Sequence, residues 1–444
     1  MNPLPLTPLE SYLYHDDTRA HPCWQFCRIS YRGSLRRDAM EKAWAEATGR
    51  QRLLNCVVRR GALGSLRWVP GPGGPPPLHW SRGEAGAEWP KWQPLDLERG
   101  PGARLYVIER EGSGDCIICV HHAVCDGLAL LEVMEDTFVI YARELGEGTE
   151  PRPAPPGRAL AARGRYGRNL AEAVWIPALQ VAGMAAEWRL FTRQVAPILP
   201  SPLGDDDAGA PPGWPFIVSR RWSIEEANAV KAAARDAKVS VAELCMRDLQ
   251  AAVGAWRKAH GVDEPEAWLR LGMAVSLRRR TRDPWPAANI FGISVIDRQA
   301  KTLDRRERLL RRAHEDMTLI EKWHLGYAFW VLLAACRWLP GGLRGYARRR
   351  VVRMTLVMSY MGKVFAKMPL PKEGQHPVVP GAVITEIVGV APTRRGTALC
   401  VDFGLIFGRL DMHVHFDPLV LDRARAQALV EEFGRQLSMS LAGK

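Results

Sequence analysis

His121-His122-Ala123-Val124-Cys125-Asp126-Gly127 is the stretch on which the reading of this chain turns. It follows the apolar run Cys116-Ile117-Ile118-Cys119-Val120, which predicts a buried strand. After it, Leu130, Met134, Phe138, Tyr141 and Leu145 recur at helical spacing. A strand end followed by Asp-Gly at a helix start presents an imidazole in a loop that a ligand can reach. Imidazole, with an ordinary pKa of ~6.5, suits proton transfer near neutrality. Alternation along the strand sends His121 to the face opposite His122, so the two cannot share one task.

Outward from this stretch, Leu105–Glu109 and Cys116–Val120 predict a hairpin around Glu111-Gly112-Ser113-Gly114. Upstream lie a strand over Trp24–Tyr31, a helix from Arg36 to Thr48 stopped by Gly49, and a strand over Leu53–Val58. Downstream, the Pro-rich residues 149–158 read as a linker. An apolar segment, Leu170 to Leu190, and a Pro, Gly and Asp-rich loop at 200–214 follow it. The second half predicts helices at 223–237 and 240–258, a strand near 269–276 and a basic helical region at 303–353. A strand group from Val383 to Phe416 and a helix from Leu421 to Leu441 close the chain. Strands mixed with helices in both halves predict an α/β fold, divided as 1–160, 161–214 and 215–444.

Composition narrows the function classes. A chain of 444 residues exceeds the ~250–300 at which one core stops growing. The net charge of +13 favours anionic partners, such as a phosphorylated cofactor, an acidic carrier protein or a lipid head group. Nucleic acid is not among the expectations: no helix-turn-helix, zinc finger or aromatic RNA-binding signature is present. The start Met1-Asn2-Pro3-Leu4-Pro5 does not read as a signal peptide, and the nine cysteines read as reduced thiols of a cytoplasmic protein. The longest apolar run, Tyr327 to Cys336, is far short of the ~20 residues of a spanning helix. Lys322 to Arg353 interleaves Trp323, Phe329, Trp330 and Trp338 with Arg337, Arg344, Arg348, Arg349 and Arg350. Such a stretch suits core packing with a solvated basic edge, the surface of an anionic bilayer, an acidic carrier or the phosphates of coenzyme A.

The pattern His-His-x-x-x-Asp-Gly at 121–127 resembles the acyltransferase superfamily that contains chloramphenicol acetyltransferase, peptide-synthetase condensation domains and the wax ester synthase/diacylglycerol acyltransferases. Pro94-Leu95-Asp96-Leu97-Glu98-Arg99-Gly100-Pro101 is similar to the segment preceding the motif in condensation domains. Pro5-Leu6-Thr7-Pro8-Leu9-Glu10 resembles the start of the wax ester synthase-like branch. Val275-Ser276-Leu277-Arg278 and Asn289-Ile290-Phe291-Gly292 fall where the superfamily has an Arg and then a Phe-Gly-Asn turn. The chain departs from it at Ile293, in place of that Asn, and at Leu54-Asn55, where condensation domains often have Leu-Arg.

The resemblance implies two chloramphenicol-acetyltransferase-like α/β sandwich domains with the site at their interface, donor and acceptor entering from opposite faces. It implies an acyltransferase moving an acyl group from a coenzyme A or carrier-protein thioester to an alcohol, an amine or a lipid-like acceptor. Coenzyme A or phosphopantetheine would be a co-substrate and not a resident cofactor. His122 would be the general base and Asp126 would hold the loop through Arg278, with His121 as a further orienting residue. Gly127 would turn the chain tightly and offer its N–H to an oxyanion. Asn289, Gly292 and Ser359 would line the substrate tunnel. Two rivals remain: a peptide-bond-forming condensation enzyme fed by carrier proteins, and a non-catalytic docking protein of the same fold.

Blander readings stand beside these. Asp126 also reads as a plain helix N-cap, His122 as a core histidine, Arg278 as part of a solvated run with Arg279 and Arg280, and Gly127 as a turn residue. Zinc at Cys116 and Cys119 is not expected, because residues three apart on a strand face opposite sides. Asp411, His413, His415 and Asp417 share one strand parity and predict a half-exposed polar face.

Overall fold

Ser113–His121 is apolar on both faces because both faces are covered. Cys116, Ile118 and Val120 enter the core of the first lobe, while Ile117 and Cys119 enter a second cluster with Phe26, Ile217 and Val388. A central strand packed on both sides reads as a continuous apolar run, not as an alternating one. The computed structural model describes residues 3–61, 64–83, 89–167, 169–186, 192–201, 213–278 and 284–442.

Ser113–His121 pairs antiparallel with Trp24–Gly33 on one side and Ala103–Arg110 on the other. They belong to a seven-stranded sheet completed by Leu78–Arg82 at one edge and by Ala382–Val390, His376–Val379 and Lys372–Glu373 at the other. Helices Arg37–Gly49 and Gly127–Glu144 cover one face of this sheet. A six-stranded sheet forms the second lobe, in the order Phe291–Gln299, Trp268–Ser276, Leu356–Val364, Leu399–Ile406, Arg409–Phe416 and Ile217–Trp222. Its helices Ile224–Asp236 and Val241–Ala259 start at Ser223 and Ser240, each closed by a reciprocal bond with a glutamate three residues on. The chain is thus a two-lobed α/β structure.

The sheets do not respect the linear division of the sequence. Residues 372–390, expected in a C-terminal domain at 215–444, leave the second sheet, and Ala382–Val390 pairs with Trp24–Gly33 in the first. Other links fasten the seam: His21 Nε2 lies 2.8 Å from Asp417 Oδ2, and Gln51 accepts the Ala287 N–H at 2.8 Å. Within 161–214, the helix Leu170–Ala186 is described; residues 187–191 and 202–212 lie outside the described residues.

Two local expectations are corrected. Leu53 and Leu54 belong to a 3₁₀ turn, Arg52–Asn55, and the strand is Cys56–Arg60. The Asn55 amide donates to the Thr48 and Gln51 carbonyls at 2.7 and 3.0 Å, holding the turn against the preceding helix end. Asp411, His413, His415 and Asp417 are all buried, not half-exposed. Their face packs at the seam between lobes: His415 Nδ1 meets the Ala391 carbonyl at 2.9 Å and Arg221 Nε lies 3.4 Å from Asp411.

All nine cysteines are buried and unpaired. No described helix is long and apolar enough to cross a membrane. Within 322–353, Trp330 is buried whereas Trp323 and Trp338 are exposed.

Candidate active site

The loop His122–Asp126 is held from three directions. Asp126 caps the helix Gly127–Glu144, its Oδ1 accepting the Ala129 N–H at 3.1 Å. Its Oδ2 accepts Arg278 Nη1 at 2.6 Å and the Ile290 N–H at 2.8 Å. Asp126 is therefore both cap and ion-pair partner. Arg278, which follows the strand Trp268–Ser276, also donates to the Ala288 carbonyl at 3.1 Å; Arg279 and Arg280 lie outside the described residues. With a 9% exposed side chain, Arg278 does not belong to a solvated run.

Asn289 does not line a tunnel. Its amide donates to the carbonyls of His122 and Ala123, at 2.7 and 2.9 Å, and pins the loop from behind. Gly292 does not line one either. A Cβ there would collide with the Gly326 carbonyl, so the position is glycine because backbone meets backbone. Gly292→Ala is expected to lower the melting temperature by several degrees, measured calorimetrically, since two packed backbones cannot separate cheaply. An unchanged melting point would contradict that close approach.

The His122 backbone N–H donates to the Cys23 carbonyl at 2.8 Å, extending the strand pairing by one residue. Its ring Nδ1 lies 3.2 Å from the Cys125 carbonyl. A carbonyl only accepts, so Nδ1 carries the proton and Nε2 presents a lone pair. Gln25 Nε2 donates to the same Cys125 oxygen at 2.5 Å. The imidazole stacks on Phe291, with centroids 5.4 Å apart and planes 10° from parallel. Burial pulls its pKa down to about 4; the Cys125 carbonyl opposes that, the Arg394 guanidinium adds to it, and Asp126 opposes it. His121 faces away, as alternation required. Its Nδ1 accepts the Ala123 N–H at 3.1 Å, and the ring borders a separate surface hollow with Trp24 and Trp92.

Two cavities adjoin at His122, Phe291 and Ser359, which line both. The first is a largely apolar chamber walled by Leu131, Met361, Val390 and Phe403. Gly127, at the N-terminus of its helix, lines the chamber too. The second is a larger cavity of about 700 Å³ between helix Pro8–Asp16 and the second sheet. His122 is thus buried among protein atoms and yet open to voids on two sides.

Sequence reasoning passed over Asp402 in the chamber wall and Gln25 beside the base; it read His413 only as a strand-face residue and Phe291 only as part of a turn, yet both line the chamber. A Gln inside the apolar strand Trp24–Tyr31 was a readable signal of a buried polar task. Asp402, opposite Ser359 in the sheet, accepts the Ala391 N–H at 3.2 Å. Burial lifts its carboxyl to about 7, against the Ala391 N–H and Ser359. A carboxyl with a raised folded pKa holds its proton where the unfolded chain has lost it, so stability falls as pH rises from 3.8 to about 7. Asp402→Asn is accordingly expected to stabilise the protein at pH 8, by about 1–3 kcal/mol, and to have no effect at pH 3.5. Urea midpoints at the two pH values check this; an equal change at both would refute it.

Among the described residues, no group of three or more His, Cys, Asp or Glu is arranged to hold a metal ion. Cys116 and Cys119 enter different cores.

No protein-family model matches the chain, and no curated protein matches its sequence. Solved structures do match it over its whole length. The first condensation domain of the CDA synthetase is 16% identical, with a TM-score of 0.68 over 100% of this chain and 97% of that one. An epimerization domain of tyrocidine synthetase is 12% identical, with a TM-score of 0.65 over 99% and 97%. A mutant starter condensation domain of rhizomide synthetase, in complex with C8-CoA and Leu-SNAC, is 13% identical, with a TM-score of 0.66 over 99% and 94%. At such identities the likeness establishes the fold: the chain has the two-lobed architecture of condensation domains.

Proposed function

We propose that the protein is an acyltransferase in which His122 is the general base. The observation that carries this is the free Nε2 lone pair of a neutral imidazole at the meeting point of two cavities. One cavity takes the acyl donor, a thioester, and the other the acceptor, an alcohol or amine. Nε2 removes the acceptor proton as the acceptor oxygen or nitrogen attacks the thioester carbonyl. A new C–O or C–N bond forms, the C–S bond breaks, and the thiolate leaves with the proton His122 took. Because the thiolate is a good leaving group, no covalent enzyme intermediate is needed. The Gly127 N–H, at the positive end of its helix, is the donor for the oxyanion. Asp126, Arg278 and Asn289 act through the loop and position His122. The fold neighbours support this reading: condensation domains share the architecture, and one holds C8-CoA together with Leu-SNAC.

The test is thioester turnover by the purified protein. Free thiol release from N-acetylcysteamine thioesters, with alcohol or amine acceptors, is followed for the wild type and for His122→Ala. Equal release by both proteins would end the proposal.

A further inference from the structure

The helix Leu170–Ala186 is inside out for a surface helix. Its 17 residues carry one charge, Glu172 in the first turn. Gln180, its other polar side chain, is buried and donates to the Trp323 carbonyl at 2.9 Å. Leu170, Val174, Ala178, Val181 and Ala185 recur three or four residues apart, so they share one face, and all five are exposed. Leu170 is 83% exposed, Val174 66% and Val181 55%. A helix at a protein surface ordinarily turns its apolar stripe to the core and its charges to water. Here Ile176 and Gln180 are buried against the protein, and the outer stripe is apolar as well.

The stripe does not stand alone. Exposed Trp175 has its ring centroid 5.7 Å from that of His324, next in the chain to exposed Trp323. Leu319, one turn before Trp323, is exposed too. The helix packs against Ala328–Cys336, and just past that element Trp338 is 90% exposed. The same stretch of chain is basic. Lys322, Arg337, Arg344, Arg348, Arg349 and Arg350 are exposed, and Glu321 is the one acid between Leu319 and Arg353. Exposed apolar area gathered in this way marks an interaction surface. Indole rings favour the boundary between hydrocarbon and water, and lysine and arginine favour anionic head groups. An apolar stripe with tryptophans beside it and cations next to them matches the layers of a bilayer. At 17 residues the helix falls short of the ~20 that a spanning segment needs, and its inner face is already packed on protein, so it lies along the surface.

We propose that this face rests on an anionic lipid bilayer. The outer stripe of Leu170–Ala186 and the ring of Trp323 sink to the boundary between head groups and acyl chains, and the exposed cations meet the lipid phosphates. Lys322, with its ammonium 5.2 Å from the Trp323 ring centroid, joins the two kinds of contact at one point. Trp338 is a further anchor. This docking is independent of the chemistry at His122.

Co-sedimentation of the whole protein with lipid vesicles tests this, using phosphatidylcholine alone and phosphatidylcholine mixed with phosphatidylglycerol. The mixed vesicles are expected to be bound at least tenfold more tightly, and added salt is expected to weaken that binding. Val174→Glu combined with Val181→Glu puts two charges on the stripe and is expected to weaken binding at least tenfold. Lys322→Glu with Arg337→Glu is expected to erase the preference for anionic vesicles. Met439→Glu, at an exposed apolar residue of the helix Arg423–Ala442, leaves binding unchanged. All these positions are exposed, so the variants are expected to melt with the wild type; Val174→Ser with Val181→Ser, which adds no charge, repeats the test should the glutamates disturb the helix. No binding to the mixed vesicles, equal binding to both kinds, or full binding by the glutamate and serine variants overturns the assignment. So does a wild-type dimer in vesicle-free buffer that the glutamate variant splits, since a second copy then covers the stripe. Thioester turnover in vesicle-free buffer is expected to be the same for the wild type and the glutamate variant, so lipid binding and the acyltransferase reading stand or fall separately.

Discussion

His122→Ala lowers thioester turnover by about 10²–10⁴-fold with the fold intact, the usual contribution of a positioned general base. The fall is expected in kcat, since the imidazole meets the acceptor proton as the bond forms and adds little to ground-state binding. The ring is backed by Phe291 and, among the described residues, its one hydrogen-bond partner is the Cys125 carbonyl, which Gln25 also supports, so its loss strands no buried charge. The pH profile follows from its surroundings. Burial and the Arg394 guanidinium hold the imidazole near 4, against the Cys125 carbonyl and Asp126. Below that value the ring is protonated and has no lone pair. In the free enzyme kcat/KM is therefore expected to rise through about pH 4 and to stay level to neutrality. An inflection at the ordinary histidine value of ~6.5 would place the reacting imidazole in water, contrary to its burial.

Asp126→Ala is expected to cost stability on the scale of the whole fold. The Asp126–Arg278 pair is buried, and removing one partner of such a pair typically costs about 3–5 kcal/mol, because the other charge stays in the interior. The helix Gly127–Glu144 also loses its N-cap, worth about 1 kcal/mol, and the Ile290 N–H loses its acceptor. Against a typical total of about 5–15 kcal/mol, much of the soluble yield disappears. Asp126→Asn keeps a capping oxygen and is expected to lie between the wild type and Asp126→Ala. Combining Asp126→Asn with Arg278→Met, which removes the stranded charge, recovers part of the loss. Urea midpoints of the wild type, Asp126→Asn, Arg278→Met and the double variant measure the coupling. Full stability with lost turnover in Asp126→Asn would move Asp126 from a positioning role into the chemistry itself.

Some of this was legible from the residues alone and some was not. The strand–loop–helix around His122 could be read because its signals are local: an unbroken apolar run, an Asp at a cap position and a helical apolar period. The opposite facing of His121 and His122 follows from strand geometry without any tertiary knowledge. Asn289 and Gly292 were misplaced on the tunnel wall for the opposite reason. Sequence position puts them near the site, but only packing shows whether a side chain faces the void or the backbone behind it. The strand Arg409–Phe416 carried an alternating polar face that solvent would explain equally well; in the fold, that face is shut against the other lobe. Asp402 gave no local signal at all. Its significance comes from the chamber opened between two sheets, and a linear pattern carries no record of voids.

Local order, the secondary elements around the loop and the chemical character of its imidazole were written in the residue order, because backbone sterics and side-chain periodicity act over a few positions. Which elements share a sheet was not. The pairing of Ala382–Val390 with Trp24–Gly33 joins segments more than three hundred residues apart, and no short-range rule encodes it. The +13 charge favours anionic partners, but folding alone gathered six of the arginines around one cavity that His122 also lines.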